Sequence, residues 1–410
     1  MTVHRRVGSR APLIGLTVAL VALLLLPTTV FGADWTKLHR VSSATASRLD
    51  AMHQLSAARG VLHLVHPRVG PRAVDDRVLY QRSINKGKSW SAPRVLFKAT
   101  KARRTVVPNL AIDARNRVVV VAFRVRGPRG HSLFVRTSED YGRSFGPRVE
   151  VFSTSRDHGV GVPAVAIGND VIAVAWTNRA NGRVKIRASR DGGRSFGRAR
   201  TVATTKLSID CDRRLTDGLV GLAISGTRVH LAWSHAPKRA CFATAIRVRT
   251  SSDRGKTWSP VRTITERDSF GWPELDARED TVIAAVQGTR GEIILARSVH
   301  NGRRWRDHVS KPPKGRSYSA ADVALGARKS AWISYVNERI RNGKLVSTRV
   351  VTRRSSDDGV SYGAPRPVTR DKKLLRQAAN ITVVEKRPVL VVQSGALDGS
   401  PRHIHSSRYR

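Results

Sequence analysis

An eight-residue pattern recurs six times in this chain of 410 residues and constrains the fold more than any other feature. It has the form Ser-x-Asp-x-Gly-x-Ser/Thr-aromatic, and its first serines are 47 to 62 residues apart. The six octets are Ser83–Trp90, Ser138–Phe145, Ser189–Phe196, Ser251–Trp258, Ser298–Trp305 and Ser355–Tyr362. Self-similarity at this period is typical of repeat architectures, and the spacing suits a four-stranded propeller blade.

Each position of the octet suits a hairpin turn. A side-chain oxygen at the third position accepts hydrogen bonds from N–H groups further along the turn, and a glycine at the fifth position adopts positive φ. The third positions hold Asn85, Asp140, Asp191, Asp253, His300 and Asp357. The fifth positions hold Gly87, Gly142, Gly193, Gly255, Gly302 and Gly359. Because every position has a structural task, we interpret all six octets as structural.

The octets resemble the Asp-box (bacterial neuraminidase) repeats of sialidase-like β-propellers, and the resemblance covers nearly everything after the N-terminal leader. It implies an all-β propeller with an octet on the turn between the third and fourth strands of each blade. It also implies that the octets lie on the face away from the ligand pocket. The pocket face would then carry the loops between strands two and three and the loops that connect one blade to the next.

The strand pattern predicts how many blades the ring contains. Short apolar or alternating runs separated by turn residues indicate strands throughout, and helical periodicity is absent. Three strand-like segments without an octet follow the sixth octet, at Asn380–Glu385, Pro388–Gln393 and His403–Arg408. The segment Trp35–Val41 can supply the missing fourth strand, and pairing it with the C-terminal strand leaves no open sheet edge. We therefore predict seven blades, with a six-bladed ring as the alternative.

The N-terminus has the features of a secretory leader. Arg5, Arg6 and Arg10 precede an apolar run over residues 11–31, and a small-residue cleavage site fits after Gly32. We predict a signal peptide over residues 1–32 and a single propeller domain with six octets over 33–410. The run is also long enough for an uncleaved N-terminal membrane anchor, which is the alternative. The expected location is secreted or cell-surface.

The chain has two cysteines, Cys211 and Cys241. An exported protein meets oxidising conditions that favour disulfides, so we predict a Cys211–Cys241 bond. The resemblance places both residues on the pocket face of the fourth blade, where the bond would stiffen the rim. Two free thiols are the alternative.

The formal net charge of +44 favours anionic partners. The cations are spread along the chain and no specific nucleic-acid-binding motif accompanies them, so the expected partner is an anionic polysaccharide or cell-wall polymer. Arginine bias of the genome is an alternative source of the charge. His403 and His405 have a spacing that can bind metal, but no third ligand accompanies them. We expect no metal, no cofactor and a monomer, with membrane contact only through an uncleaved leader.

The resemblance gives a template for catalysis. Sialidases of this family use an arginine triad, a tyrosine nucleophile backed by a glutamate, and an aspartate acid/base. Their Arg-Ile-Pro signature is absent here, whereas Tyr335 and Glu338 are expected on one loop and form a candidate pair. Tyr335 also occupies a repeated aromatic position of the second strand, which favours a packing role. Asp75 and Asp76, on the first blade's loop between strands two and three, are candidate acids.

The candidate ligand-binding residues are Trp272, His235, Asn178 and Arg179. Trp272 has an aromatic face on which a sugar ring can stack, although packing between blades is the alternative. His235 and Asn178 follow the aromatic residues of second strands, at the start of pocket-face loops, and Arg179 is adjacent.

Fold alone does not decide the function, because function depends on the site. We predict an exported sialidase-superfamily propeller that binds a glycan or an anionic cell-surface polymer. An exo-α-sialidase-like glycoside hydrolase is the main alternative, and another propeller enzyme, such as a lyase or a different glycosidase, is the third.

Overall fold

The computed structural model describes residues 35–41, 53–68, 75–102, 104–128, 130–155, 159–205, 219–236, 243–270, 272–369, 374–396 and 403–410. The chain divides into a unit of residues 1–31, which lies outside the described residues, and a unit of residues 32–410. The predicted leader is therefore not described. No described helix is both long and apolar enough to be a candidate membrane span.

The described part of the second unit consists of strands, arranged as seven four-stranded antiparallel sheets, so that it forms a seven-bladed β-propeller. The predicted all-β fold and the seven-blade count are thus confirmed, and the six-bladed alternative is wrong. Each of the first six sheets contains four consecutive strands in sequence order, with the first strand nearest the central axis.

The first three blades have the following strands. Blade one contains β2 (Gln54–Ala58), β3 (Val61–Arg68), β4 (Arg77–Ser83) and β5 (Arg94–Lys98). Blade two contains β6 (Arg104–Arg115), β7 (Val118–Gly127), β8 (Gly130–Ser138) and β9 (Val149–Thr154). Blade three contains β10 (Ala164–Ile167), β11 (Ile172–Asn178), β12 (Arg183–Ser189) and β13 (Arg200–Thr204).

The next three blades follow the same order. Blade four contains β14 (Val220–Ser225), β15 (Arg228–His235), β16 (Ala245–Ser251) and β17 (Arg262–Thr265). Blade five contains β18 (Glu274–Arg278), β19 (Thr281–Gln287), β20 (Ile293–Ser298) and β21 (Arg306–Ser310). Blade six contains β22 (Arg316–Leu325), β23 (Ala331–Arg341), β24 (Lys344–Ser355) and β25 (Arg366–Pro367).

The seventh blade joins the two ends of the propeller. Its strands β26 (Leu374–Val384), β27 (Arg387–Ala396) and β28 (His403–Arg408) are completed by β1 (His39–Arg40), in the order β1-β28-β27-β26. β1 pairs antiparallel with β28, with His39 opposite Ser406, and Trp35 forms a further bridge with Tyr409. The predicted closure of the ring by its N- and C-terminal strands is therefore confirmed.

The hydrophobic core lies between neighbouring blades. The second strand of each blade has neighbouring sheets on both faces, so it is apolar along most of its length instead of alternating. In β19, for example, the first six residues are all buried. Apolar clusters fill the seam between each pair of adjacent blades, including the seam between blades seven and one.

All six octets lie on the turns between third and fourth strands, where their side chains satisfy the backbone. In the octet Ser251–Trp258, the Ser251 hydroxyl donates to Asp253 at 2.7 Å and accepts from the Gly255 N–H at 2.7 Å. Asp253 also accepts from the N–H and the hydroxyl of Thr257, at 2.8 and 2.7 Å. Gly142 shows why glycine occupies the fifth position, because its φ is +75° and a Cβ there would lie 1.8 Å from the Tyr80 hydroxyl.

Candidate functional site

The seven innermost strands surround a cavity of about 330 Å³ on the propeller axis. Alternate residues of a strand point to the same side, so each innermost strand presents one row of side chains to the axis. Small and branched apolar residues form most of the lining. The lining also includes four acidic residues, Asp113, Glu274, Asp276 and Asp322.

The three aspartates of the lining connect neighbouring blades. Asp276 shows the pattern: its carboxylate accepts from the N–H of Ala277 at 2.7 Å and from the N–H of Leu325, in blade six, at 2.7 Å. The corresponding backbone donors are Ala114 and Ile167 for Asp113, and Val323 and Ile381 for Asp322. These aspartates therefore hold the innermost strands of successive blades together.

Burial raises the pKa of each of these aspartates, although their backbone hydrogen bonds act in the opposite direction. The pKa is raised to about 7 for Asp276 and to about 6 for Asp113 and Asp322. A low-dielectric surrounding disfavours the charged carboxylate, and the charges of Asp113 and Asp322 raise the pKa of Asp276 further. The channel consequently carries less negative charge near neutral pH than its four acids would in water.

Glu274 differs from the three aspartates in having no blade-connecting role. Burial, with a contribution from the charge of Asp322, raises its pKa well above its ordinary value. No residue that the structure describes forms a hydrogen bond with its carboxyl group. Trp272, two positions earlier, also lines the cavity. Trp272, Glu274 and Asp276 therefore follow one another along the same channel wall.

The structure separates the candidate catalytic pair. Tyr335 and Glu338 both lie within β23, which extends to Arg341, so the expected loop position is wrong. The pairing of β23 with β24 is regular over these residues, so two residues three positions apart point to opposite sides of the sheet. The Tyr335 ring is 1% exposed and packs on Tyr318, with ring centroids 4.7 Å apart.

Burial also changes the pKa values of Tyr335 and Glu338. Burial raises the pKa of the Tyr335 hydroxyl above its ordinary value, which disfavours the phenolate. Burial likewise raises the pKa of Glu338, whose carboxylate accepts a 2.5 Å hydrogen bond from the Ser319 hydroxyl. Tyr335 thus has the position and chemistry of a core residue.

Of the four candidate ligand-binding residues, Trp272 lines the axial cavity and the other three lie outside its lining. Asn178 ends β11, where its side-chain oxygen accepts from the Ala180 N–H at 3.1 Å and shapes a turn. The Arg179 N–H donates to the Gly159 carbonyl at 3.1 Å. His235 ends β15, and its pKa is lowered by burial and by the nearby Arg247.

The remaining candidates lie on or near loops that the structure describes only in part. Asp76 is buried, and its backbone carbonyl accepts from the Ala99 N–H at 2.9 Å, while Asp75 is half-buried before it. Both aspartates have interactions within the protein. Cys211 and Cys241 lie outside the described residues, so the predicted disulfide remains a prediction.

The described lining of the axial cavity does not contain the three arginines expected of a sialidase-like site. Arg115 is the single arginine there, and it lies at the end of β6 next to the hairpin, with no tyrosine among the described lining residues. The described residues contain no group of three or more histidines, cysteines or acids that could hold a metal ion.

The channel aspartates were not identified from the sequence. A signal exists, because the same tripeptide Asp-Ala-Arg ends the innermost strands of blades two and five, at residues 113–115 and 276–278. The two copies are 163 residues apart, so they are recognised as equivalent only when the innermost strands of the blades have been aligned.

Comparison with known proteins identifies the class of fold. Phage phi92 endosialidase is 10% identical with a TM-score of 0.54, covering 91% of this chain and 69% of that chain. The K499G mutant of the NanB sialidase from Streptococcus pneumoniae is 9% identical with a TM-score of 0.52, covering 91% of this chain and 70% of that chain. A protein of unknown function from Dyadobacter fermentans is 13% identical with a TM-score of 0.53, covering 92% and 99%.

The fold is therefore that of a sialidase-like β-propeller. At the level of sequence, no protein-family model and no curated protein matches the chain.

Proposed function

We propose that this protein is a non-hydrolytic sialidase-like propeller that binds an anionic polysaccharide outside the cell. The observation that carries the proposal is the position of Tyr335. It is 1% exposed within an inter-blade core and points to the side of β23 opposite to Glu338. A tyrosine nucleophile must reach the substrate and be supported by its base, and neither condition is met here.

The charge distribution supports an anionic ligand. The net charge is +44, and cations project from the edge of the propeller. An exposed arginine stands at or directly before the start of the fourth strand in each octet-bearing blade. These residues are Arg94, Arg148, Arg200, Arg262, Arg306 and Arg366. A field of this sign raises the local concentration of polyanions and speeds their association.

The likeness to sialidases supports a glycan as the class of ligand, because two of the similar structures are an endosialidase and a sialidase. The predicted leader supports an extracytoplasmic location, where anionic polysaccharides are abundant. Together with the buried tyrosine, these features favour binding over turnover.

The proposal is tested with purified protein, a fluorogenic sialoside and a column of immobilised heparin as a model anionic polysaccharide. We expect no sialoside turnover above background, together with retention on heparin that is lost as salt is raised, because added ions screen the attraction. Sialoside turnover that disappears in the Tyr335→Phe variant would contradict the proposal. A failure of the protein to bind heparin at low salt would contradict it equally.

Glycoside hydrolysis by channel carboxyls is a second candidate, favoured by Glu274. Glycosidases commonly combine a carboxylic acid of raised pKa with a second carboxylate. Glu274 has a raised pKa, feels the charge of Asp322, and follows Trp272 along the cavity wall. A screen of aryl glycosides with uncharged sugars tests this candidate: turnover abolished in Glu274→Gln supports it, and inactivity towards the whole set counts against it.

A further inference from the structure

Two hollows adjoin at the octet turn of blade four, and no residue of their lining belongs to the lining of the axial cavity. Their volumes are about 640 Å³ and 300 Å³. Thr257 and Trp258 line both hollows, so the two are adjacent parts of a depression across blades three, four and five. We call this depression the basic groove, and define it by Arg198, Arg200, Lys256, Trp258, Arg262 and Arg303.

The cations of the basic groove are not neutralised locally. Neither hollow has an acidic residue in its lining, although Asp191 lines an adjoining hollow together with Arg198, Arg200 and Lys256. Among the described residues, none of the five groove cations forms an ion pair. Their neighbours differ, because Arg254 pairs with Asp170 at 2.7 Å and Arg194 pairs with Glu139 at 3.1 Å. The positive potential of the groove is therefore left for a ligand to compensate.

The carboxylates of the nearby octets accept hydrogen bonds within their own turns. Asp253 accepts from the N–H and hydroxyl of Thr257, at 2.8 and 2.7 Å, and from the Ser251 hydroxyl at 2.7 Å. In blade three, the Ser195 hydroxyl and N–H hold the pKa of Asp191 below its ordinary value. Both acids stay ionised, but the five groove cations outnumber these two carboxylates.

One hydrogen bond positions cations from two blades side by side. The Arg200 guanidinium donates to the Lys256 backbone carbonyl at 2.7 Å, across the seam between blades three and four. The Arg200 guanidinium is thereby held at the Lys256 backbone before any ligand arrives, and both residues line the same hollow. Such preorganisation reduces the ordering cost of binding, since fewer rotamers are lost when the ligand binds.

The distribution of the groove cations indicates a linear ligand. Arg198 and Arg200 belong to blade three, Lys256 and Arg262 to blade four, and Arg303 to blade five. A small anion would need its cations to converge on one point, whereas these are placed along a depression that crosses three blades. The half-buried Trp258 packs on the apolar core between blades three and four and lines both hollows, where its exposed part offers an apolar surface to a sugar ring.

We propose that the basic groove is the binding site for an anionic polysaccharide, whose carboxylate, sulfate or phosphate groups are spaced along the chain. This inference rests on the proposed function and adds its location, on the octet side of blades three to five and away from the axial cavity. The ligand is a polymer of sugars with repeated negative charges, and the octet turns provide the rigid platform for the cations.

The test compares two triple variants of the full-length protein that remove the same charge. The groove variant carries Arg198→Gln, Arg200→Gln and Lys256→Gln. The control variant carries Lys88→Gln, Arg94→Gln and Arg143→Gln, all exposed residues of blades one and two. Lys88 and Arg143 hold the octet position that Lys256 holds in blade four. Affinity for a heparin-derived decasaccharide is measured at several salt concentrations, after unfolding curves have shown that both variants are folded.

We expect the groove variant to bind at least tenfold more weakly at 0.1 M salt, and the control variant less than threefold more weakly. The slope of log K against log salt should decrease by about 2 in the groove variant, since each lost ionic contact removes roughly 0.7 from it. A second variant from the opposite wall, Arg262→Gln with Arg303→Gln, should weaken binding in the same direction.

The other outcomes are distinct. Equal losses in the groove and control variants would contradict the groove while leaving the proposed function intact, because the diffuse charge would then suffice. No binding by the unaltered protein would overturn the proposed function itself. An oligonucleotide of matched charge that binds as tightly as the decasaccharide, and is weakened equally by the groove variant, would overturn the assignment of the groove to a polysaccharide.

Discussion

The Asp276 carboxylate in blade five accepts a 2.7 Å hydrogen bond from the backbone N–H of Leu325 in blade six. The same carboxylate accepts from the Ala277 N–H at 2.7 Å, so one side chain satisfies two backbone donors next to the axial cavity. Asp113 and Asp322 repeat the arrangement at other blade seams. Three of the four acids that line the axial cavity therefore connect blades. Glu274 is the acid of the lining without such a role.

The first prediction concerns the stability that Asp276 supplies. Asp276→Ala leaves the N–H groups of Ala277 and Leu325 without their acceptor, and an unsatisfied buried donor costs about 1–3 kcal/mol. We expect the free energy of unfolding to fall by about 2–5 kcal/mol. Urea unfolding followed by tryptophan fluorescence measures this. The control Asp280→Ala, at an exposed position of the adjacent hairpin, should change stability by less than about 0.5 kcal/mol.

The second prediction concerns the pH dependence that Asp276 imposes. Its pKa is raised from 3.8 to about 7 in the folded protein, so between pH 4 and pH 7 the folded state holds more protons than the unfolded state. Stability from this group is complete below pH 4 and is lost as pH rises towards 7. The stability of the unaltered protein relative to Asp276→Asn should therefore decrease across this window.

Buried histidines make the protein more stable as pH rises, which is opposite to the effect of Asp276. The stability of the unaltered protein is therefore compared with that of Asp276→Asn. Burial lowers the pKa of His63 to about 3 and that of His53, His66 and His230 to about 4. Stability from these groups is lost as pH falls from 6.5 towards 4. Both proteins contain the same histidines, so their contribution cancels in the difference. A difference that stays constant from pH 4 to pH 7 would contradict the raised pKa of Asp276.

The third prediction concerns ring closure. Trp35 is 3% exposed and packs edge-on against Tyr409, with ring centroids 5.7 Å apart. Trp35→Ala removes a large buried side chain from the strand that completes blade seven, so we expect a loss of about 3–5 kcal/mol. Lys37→Ala, at an exposed position of the same segment, is the matched control. Thermal unfolding distinguishes them, and an equal effect of both substitutions would contradict the closure.

The fourth prediction concerns the one octet without a side-chain carboxylate or amide at its third position. His300 occupies that position, and the turn retains the 3.0 Å bond from the Gly302 N–H to the Ser298 hydroxyl. His300→Asp would add an acceptor for the Ser298 hydroxyl and the Arg304 N–H, as Asp253 does in blade four. We expect a gain of about 0.5–1.5 kcal/mol in unfolding free energy. The equivalent change Asp253→His should destabilise, and a loss with His300→Asp would contradict this account of the octet.

The sequence was sufficient to predict the blades because the turn chemistry is local. Each octet closes hydrogen bonds within a few residues, so six copies predict six turns without reference to the rest of the fold. The seventh blade followed from the apolar segments after Tyr362 and from Trp35–Val41, since a closed ring requires a partner for each edge. The structure places these segments as predicted.

The candidate site was much less predictable, because it depends on contacts between distant residues. Tyr335 and Glu338 were expected on a loop, yet β23 continues through them, since it pairs with β22 on one side and with β24 on the other. The bond between Asp276 and Leu325 joins residues 49 positions apart. Arg200 and Lys256 become neighbours only across a blade seam. Such relationships follow from how whole strands and neighbouring blades pack together, which no local pattern encodes.

The central claim is that an anionic polysaccharide binds the basic groove while the axial cavity performs no catalysis on sialosides. The most direct measurement is the dissociation constant for the heparin decasaccharide at 0.1 M salt, for the unaltered protein, the groove variant and Glu274→Gln. The account predicts at least tenfold weaker binding for the groove variant and no change for Glu274→Gln. Unchanged binding in the groove variant with a loss in Glu274→Gln would contradict it and place the ligand in the axial cavity.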